Sequence, residues 1–472
     1  MLSVAELRRT SALGLVVAAT AATIGVVYGY DLANIAGALL FITKEFHLST
    51  GQQEVVTTAV VVGEVIGAIA GGALANAFGR KTVMVVVALT YAAFALLSAV
   101  SVNVPMLTGA RFLLGLTIGV SVVAAPVFVA ESAPANIRGA LMVLYQVATV
   151  FGIIVAYFVD FALAGTGNWR VMLGLAAVPA VLIALVLFRL PDTARWYLMK
   201  GRREEARRTL LRIDPDVDID RELNEIEQDM SAQRGGAVGE MLRRPYLRAT
   251  VFVVGLGFFI QITGINSIVY YSPLIFKQMG FTGNFSLLVL PGLIQVASLI
   301  AVIISLSLVD QVGRRPILLT GIGIMIASNV LLMAVFGVFT SGGLHTALGF
   351  LGILFFTVGF TFGFGALVWV YAGESFPSRL RTLGAGAMLT SDLVANVIVA
   401  SFVLTVLNAV GGVGTFGILL VLAALAFGFV FWLAPETKGR PLEEIRLYWE
   451  NGGRWPEQQS TKPPSPRTAG GG

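Results

Sequence analysis

Few side chains in this sequence can do chemistry, and those few stand alone in long apolar stretches. Asp31 (in Tyr28-Gly29-Tyr30-Asp31), Glu64, Arg111 and Asp392 each sit among aliphatic and small residues. A bare charge in hydrocarbon is expensive, so each must face a cavity, pair, or hold a proton. Arg111 is the nearest candidate partner of Asp31. Burial favours a protonated acid, and a neighbouring guanidinium favours the ionised one. A gate that joins and parts the two would bind and release a proton. Glu64 and Asp392 have no partner in the sequence. They read as a second proton site, as a cavity that favours an amino sugar or another cation, or as protonated groups hydrogen-bonded between helices. Asp160, near the outer end of its stretch, reads as interfacial.

Uncharged amides form a second set. Gln146, Gln261 and Asn266 offer donors and acceptors suited to hydroxyl groups. Gln261 and Asn266 are five residues apart, about 140° around a straight helix. A break near Gly264 is needed for both to face one cavity. Trp369 follows Gly359, Gly363 and Gly365. An indole face stacks on the C–H side of a pyranose ring, and nearby glycines let a helix bend. Tyr28, Tyr270 and Tyr271 add aromatic groups, the last two read as an outer lid. The chain has no cysteine and two histidines, His47 and His345, both expected in outer loops. There is no HExxH and no nucleophile–base pair. The reading is therefore not an enzyme, with no metal and no cofactor.

The elements that must position these groups are membrane helices. Of 472 residues, 56% are apolar and only 12% charged, with a mean hydropathy of +0.84. A span takes ~20 apolar residues, and twelve stretches qualify, near 12–42, 54–76, 82–102, 107–129, 141–163, 171–190, 250–276, 285–308, 315–338, 346–371, 384–409 and 412–433. The first is too long and glycine-rich for a cleaved signal peptide. This composition excludes a soluble globular enzyme, a disordered chain and a nucleic-acid binder. Of 32 Lys and Arg, all but Lys44, Arg111, Arg170 and Lys277 fall on one side of the drawn topology. That side is cytoplasmic, which puts both termini inside. The chain then divides into an N-terminal six-helix half (1–190), a charged cytoplasmic helical linker (191–249), a C-terminal half (250–434) and a cytoplasmic tail (435–472), disordered from Gly452.

The halves repeat one another. Gly79-Arg80-Lys81 after span two matches Gly313-Arg314-Arg315 after span eight. Glu131…Arg138 after span four matches Glu374…Arg381 after span ten. Pro191-Asp192-Thr193 after span six matches Pro435-Glu436-Thr437 after span twelve. Acids and bases that recur together at helix ends read as a cytoplasmic gate: Arg80, Glu131 and Arg138 in the first half, Arg314, Arg315, Glu374, Arg381 and Glu436 in the second. Such pairs can hold one conformation and break in another.

With Gln261-Ile262-Thr263-Gly264-Ile265-Asn266 and Tyr270-Tyr271-Ser272-Pro273, this motif set resembles the sugar porters of the major facilitator superfamily over nearly the whole chain. The resemblance implies an all-α membrane protein of twelve transmembrane helices in two pseudo-symmetric halves, with a small cytoplasmic helical domain and alternating access. It implies proton coupling at Asp31, since passive members usually carry an amide there, and sugar contacts at Gln146, Gln261, Asn266 and Trp369. The sequence departs from the family at Ile260, Ser298, Ala366 and Asp392-Leu393, and Glu64 is unexpected. The expected function is proton-coupled symport of a sugar or polyol across the cytoplasmic membrane by a monomer. The alternative is passive sugar transport, or proton-linked transport of a cationic or amphipathic molecule.

Overall fold

The computed structural model describes residues 12–132, 138–213, 218–233, 238–339 and 342–455. Arg8 and Arg9, residues 133–137 of the span-four motif, the side chain of Arg138, and the tail beyond 455 lie outside this set.

The N-terminal half contains α1 (Ala12–Phe46), α2 (Thr50–Phe78), α3 (Arg80–Ala99), α4 (Val104–Ser132), α5 (Arg138–Ala164), and a sixth span made of α6 (Trp169–Gly174) and α7 (Ala177–Phe188). Lipid supplies no hydrophobic drive between helices, so association depends on close packing. Glycines provide it. A Cβ on Gly29 of α1 would lie 1.8 Å from the Thr149 carbonyl of α5, and one on Gly152 would lie 2.2 Å from the Val26 carbonyl. The pair α2 and α4 interlocks in the same way through Gly63, Gly67, Gly115 and Gly119. These two close pairings fix α1 on α5, leaving Asp31 beside Tyr91 of α3, and α2 on α4 at the level of Glu64.

Four short helices form the linker: α8 (Ala194–Met199), α9 (Arg203–Ile213), α10 (Ile219–Gln233) and α11 (Val238–Met241). Ala194, Ala206, Leu210 and Leu223 give it a small apolar core. Its charges pair on the outside, as in Arg203–Glu227 at 2.5 Å and Arg221–Glu225 at 2.7 Å. Exposed pairs like these add little stability.

In the C-terminal half, span seven is broken as its glycine implied. α12 (Leu247–Ile262) stops, Gly264 takes a left-handed φ of 98°, and α13 (Ile265–Gln278) restarts. A π-helical turn (Phe285–Val289) leads into α14 (Leu290–Val312), followed by α15 (Arg314–Gly337) and α16 (Gly343–Phe360). A second π-helical turn, Thr361–Gly365, interrupts span ten before α17 (Ala366–Glu374). Here Gly321 of α15 meets Gly359 and Gly363 backbone to backbone. The last two spans are one 56-residue element, α18 (Ser378–Leu433), interrupted at Gly411 with φ 67°. At 1.5 Å per residue it is far longer than a ~30 Å hydrocarbon core, so it crosses twice. Counting that break, the eleven long apolar helices of the described chain supply twelve crossings. A terminal helix, α19 (Leu442–Glu450), stacks Trp449 on Phe252 of α12 with 5.4 Å between ring centroids. His345, expected in an outer loop, is buried at the start of α16, its Nδ1 3.2 Å from the Val335 carbonyl. The helix starts earlier than the hydropathy suggested because Gly342, at positive φ, turns the chain before it.

The halves are tied together at the end opposite the linker. The Glu54 carboxylate accepts from the Thr405 N–H at 2.7 Å and its hydroxyl at 2.6 Å. Asn408 donates to Thr50 at 3.1 Å. Tyr157 of α5 donates to the Val269 carbonyl of α13 at 2.7 Å. These contacts close the two halves on each other at that end.

Candidate functional site

Asp31 is 4% exposed and accepts a long hydrogen bond, 3.4 Å, from the Tyr91 hydroxyl of α3. Arg111 of α4 is equally buried and lies within Coulombic reach of Asp31. Among the described ion pairs, the two are not joined; the Arg111 Nε donates instead to the Val56 carbonyl of α2 at 3.1 Å. This conformation therefore has acid and base near but apart. Tyr91 was not legible as a site residue; the signal for it is a phenol in the middle of an apolar span.

Glu64 is 1% exposed, and its Oε2 has no hydrogen-bond partner. Asp31, Arg111 and Asp392 lie within Coulombic reach of it. Asp392 of α18 faces the Gln261 amide of α12, and the Gln261 Oε1 has no partner. Tyr28, Tyr145 and Tyr270 surround the same carboxylates. Tyr270 accepts from Asn396 at 3.3 Å, and Tyr271 donates to the Ala400 carbonyl at 3.0 Å. Both tyrosines are buried between α13 and α18. Gln146 and Asn266 are partly buried on α5 and α13, Asn266 in the first turn after the Gly264 break. Trp369 is half-exposed on α17, one turn past the π-helical segment. Asp160 is not interfacial: it is fully buried against Gly37 of α1, both oxygens without a hydrogen-bonding side chain. The missing side chain at Gly37 opens the space it fills.

At the linker end the repeated motifs build the same structure twice. Gly79 and Gly313 turn the chain at φ 100° and 107°. The Asp192 carboxylate caps the following helix by accepting from the Arg80 and Lys81 N–H groups at 3.0 and 3.3 Å. Glu436 does the same for Arg314 and Arg315 at 3.0 and 3.1 Å. An anion at a helix N-terminus is favoured by the unpaired N–H groups there. Glu131 binds the Arg80 side chain at 3.0 Å and accepts from Thr193 at 2.6 Å. Glu374 lies 3.7 Å from Arg314 and accepts from Thr437 at 2.6 Å. Arg315 donates to the Phe431 carbonyl, and Arg381 is placed on the first turn of α18 with its Nε buried and unpaired. These pairs join helices within each half, not one half to the other.

Two six-helix halves, a broken seventh span and a duplicated capping turn define a major facilitator transporter. The family described as "Sugar (and other) transporter" matches residues 17–449, and the chain belongs to it. It is 35% identical to the galactose-proton symporter of Escherichia coli (strain K12) over 443 residues, 93% of this chain and 95% of that one. The arabinose-proton symporter of Bacillus subtilis (strain 168) is 33% identical over 433 residues, 90% of this chain and 92% of that one. Among solved structures, the inward-open xylose transporter XylE from E. coli superimposes with a TM-score of 0.79 at 26% identity, over 92% of this chain and 99% of that one. XylE bound to 6-bromo-6-deoxy-D-glucose gives 0.77 at 26% identity, over 93% and 99%.

Proposed function

We propose that this protein is a proton-coupled symporter of a sugar or polyol, working by alternating access across the cytoplasmic membrane as a monomer with both termini inside. The observation that carries the reading is Asp31: a carboxyl buried on α1, held by Tyr91, with Arg111 close but unpaired. The relatives named as galactose- and arabinose-proton symporters support it.

In this account the carrier open to the outside takes a proton at Asp31. Substrate then binds between the halves through Gln146 of the first and Gln261, Asn266 and Trp369 of the second. Tyr28, Tyr270 and Tyr271 close around it. The bent seventh span lets Gln261 and Asn266 face one ligand. The halves then rock, the outer ties through Glu54 and Asn408 form, and the substrate leaves toward the linker side. Arg111 approaching Asp31 favours the ionised acid and expels the proton inward. Arg80, Glu131, Arg138, Arg314, Arg315, Glu374, Arg381 and Glu436 act as the cytoplasmic gate, with the capped turns at Gly79 and Gly313 keeping each half rigid. Uptake is driven because the loaded carrier crosses more readily than a half-loaded one. Purified protein in liposomes tests this: an inward proton gradient must accumulate labelled sugar above the outside concentration. Equilibration without accumulation would identify a passive carrier.

A further inference from the structure

Coupling needs a carboxyl that changes partner, and rocking of the halves does not supply the change. Asp31 of α1, Tyr91 of α3 and Arg111 of α4 all belong to the N-terminal half. Two halves moving as bodies leave their spacing as it is, so the switch must lie in side chains with two arrangements. The structure holds one of them. The Tyr91 hydroxyl, 3.4 Å away, makes the only hydrogen bond to the Asp31 side chain among the described residues. The Arg111 Nε is turned to the Val56 carbonyl at 3.1 Å. These two partners differ in what they can serve. A guanidinium only donates, so it suits the ionised acid alone. A phenol donates to a carboxylate and accepts from a protonated carboxyl, so Tyr91 suits Asp31 in both states. Their contact is longer than the about 2.7–2.8 Å usual between oxygens, which leaves the carboxyl free to swing away. The phenol also has room, because with Tyr28, Ser121 of α4 and Ala180 of α7 it lines a cleft inside the half.

We propose that Tyr91 is a positioning residue for proton coupling: it holds the Asp31 carboxyl in the arrangement that can carry a proton, and competes there with Arg111. The proposal rests on the symporter reading and adds a residue to its proton site. With the hydroxyl present, the O–H of protonated Asp31 has an acceptor, and Arg111 stays on Val56. Without it, the buried carboxyl keeps one strong partner, Arg111, which favours the ionised form. More acid is then needed to load the carrier. Glu64 of α2, Tyr270 of α13 and Tyr30 on α1 itself are the other ionisable groups around Asp31. A change at Tyr91 alone leaves all three in place.

Tyr91→Phe removes one oxygen and keeps the ring. The full chain in detergent is titrated by infrared difference spectroscopy, and the protonated-carboxyl band that Asp31→Asn lacks is assigned to Asp31. The midpoint of that band in Tyr91→Phe is expected about one pH unit or more below that of the wild type, the size of shift an opposite charge gives a carboxylate. In liposomes, the external pH for half-maximal sugar accumulation moves down with it. The proposal is overturned if the midpoint is unchanged or moves up, or if no band assigned to Asp31 titrates. Lower stability or slower exchange at an unmoved midpoint means that Tyr91 only packs, and overturns it as well. Tyr91→Leu, which also lacks the hydroxyl, takes its place should the phenylalanine variant not be recovered. The two readings fail separately. A wild type that equilibrates sugar without accumulation removes symport, and the infrared midpoints still decide the part of Tyr91. Accumulation with unmoved midpoints keeps symport and removes Tyr91 from it.

Discussion

Glu131 holds the linker end of the N-terminal half, and its removal has a calculable consequence. The Arg80 and Glu131 side chains are 5% and 12% exposed and meet at 3.0 Å, with a second contact at 3.3 Å. Without Glu131, the Arg80 guanidinium keeps the Ala75 carbonyl at 3.3 Å and the Met199 sulfur at 3.6 Å. Breaking a buried pair by deleting one partner costs about 3–5 kcal/mol. The counterpart in the other half is looser: Arg314 is 3.7 Å from Glu374 and also has Asp310 at 3.0 Å. The expectation is a double-mutant coupling of about 2–3 kcal/mol for Arg80–Glu131, from charge-assisted bonds, and about 1 kcal/mol or less for Arg314–Glu374. Reversible unfolding in mixed micelles, with Arg→Met and Glu→Gln singles and doubles, measures both. Equal couplings in the two halves would refute the claim that the network is tighter around α3 than around α15.

Three further outcomes follow from the geometry. Gly79→Ala places a Cβ 2.2 Å from the Asp192 carboxylate at a positive φ, and backbone strain alone costs about 1–3 kcal/mol; loss of thermal stability with displaced capping is expected, and a neutral result would contradict it. Gly29→Val puts carbon into the Thr149 carbonyl and should prevent α1 from packing on α5, read as failure to recover folded protein in detergent. Glu54→Gln weakens the tie to Thr405, made by bonds of 2.7 and 2.6 Å. At about 1.5–3 kcal/mol for bonds to a charged acceptor, the carrier should shift toward the outward-facing form roughly tenfold or more. Because the native chain has no cysteine, single-cysteine labelling at the outer end reports this shift directly, and unchanged labelling would count against Glu54 as a tie.

Hydropathy and the Gly-Arg turns gave away most of the architecture. Twelve crossings, the linker helices and the break at Gly264 follow from residues whose backbone role is local: a glycine that alone adopts φ near 98° stops a helix wherever the rest of the chain lies. The matched acids of the repeat were legible for the same reason, since Asp192 and Glu436 cap a turn of fixed geometry. What stayed hidden depends on which helices touch. Tyr91 reaches Asp31 from α3, sixty residues away. Glu54 finds its partner across the two halves. The full burial of Asp160 depends on one missing side chain at Gly37.

Asp31→Asn in proteoliposomes tests the coupling most directly, by comparing gradient-driven accumulation with exchange of internal for external sugar. The account predicts that accumulation is lost while exchange persists, because the amide still fits beside Tyr91 but cannot take up and release a proton. Accumulation by the variant equal to that of the wild type would contradict it.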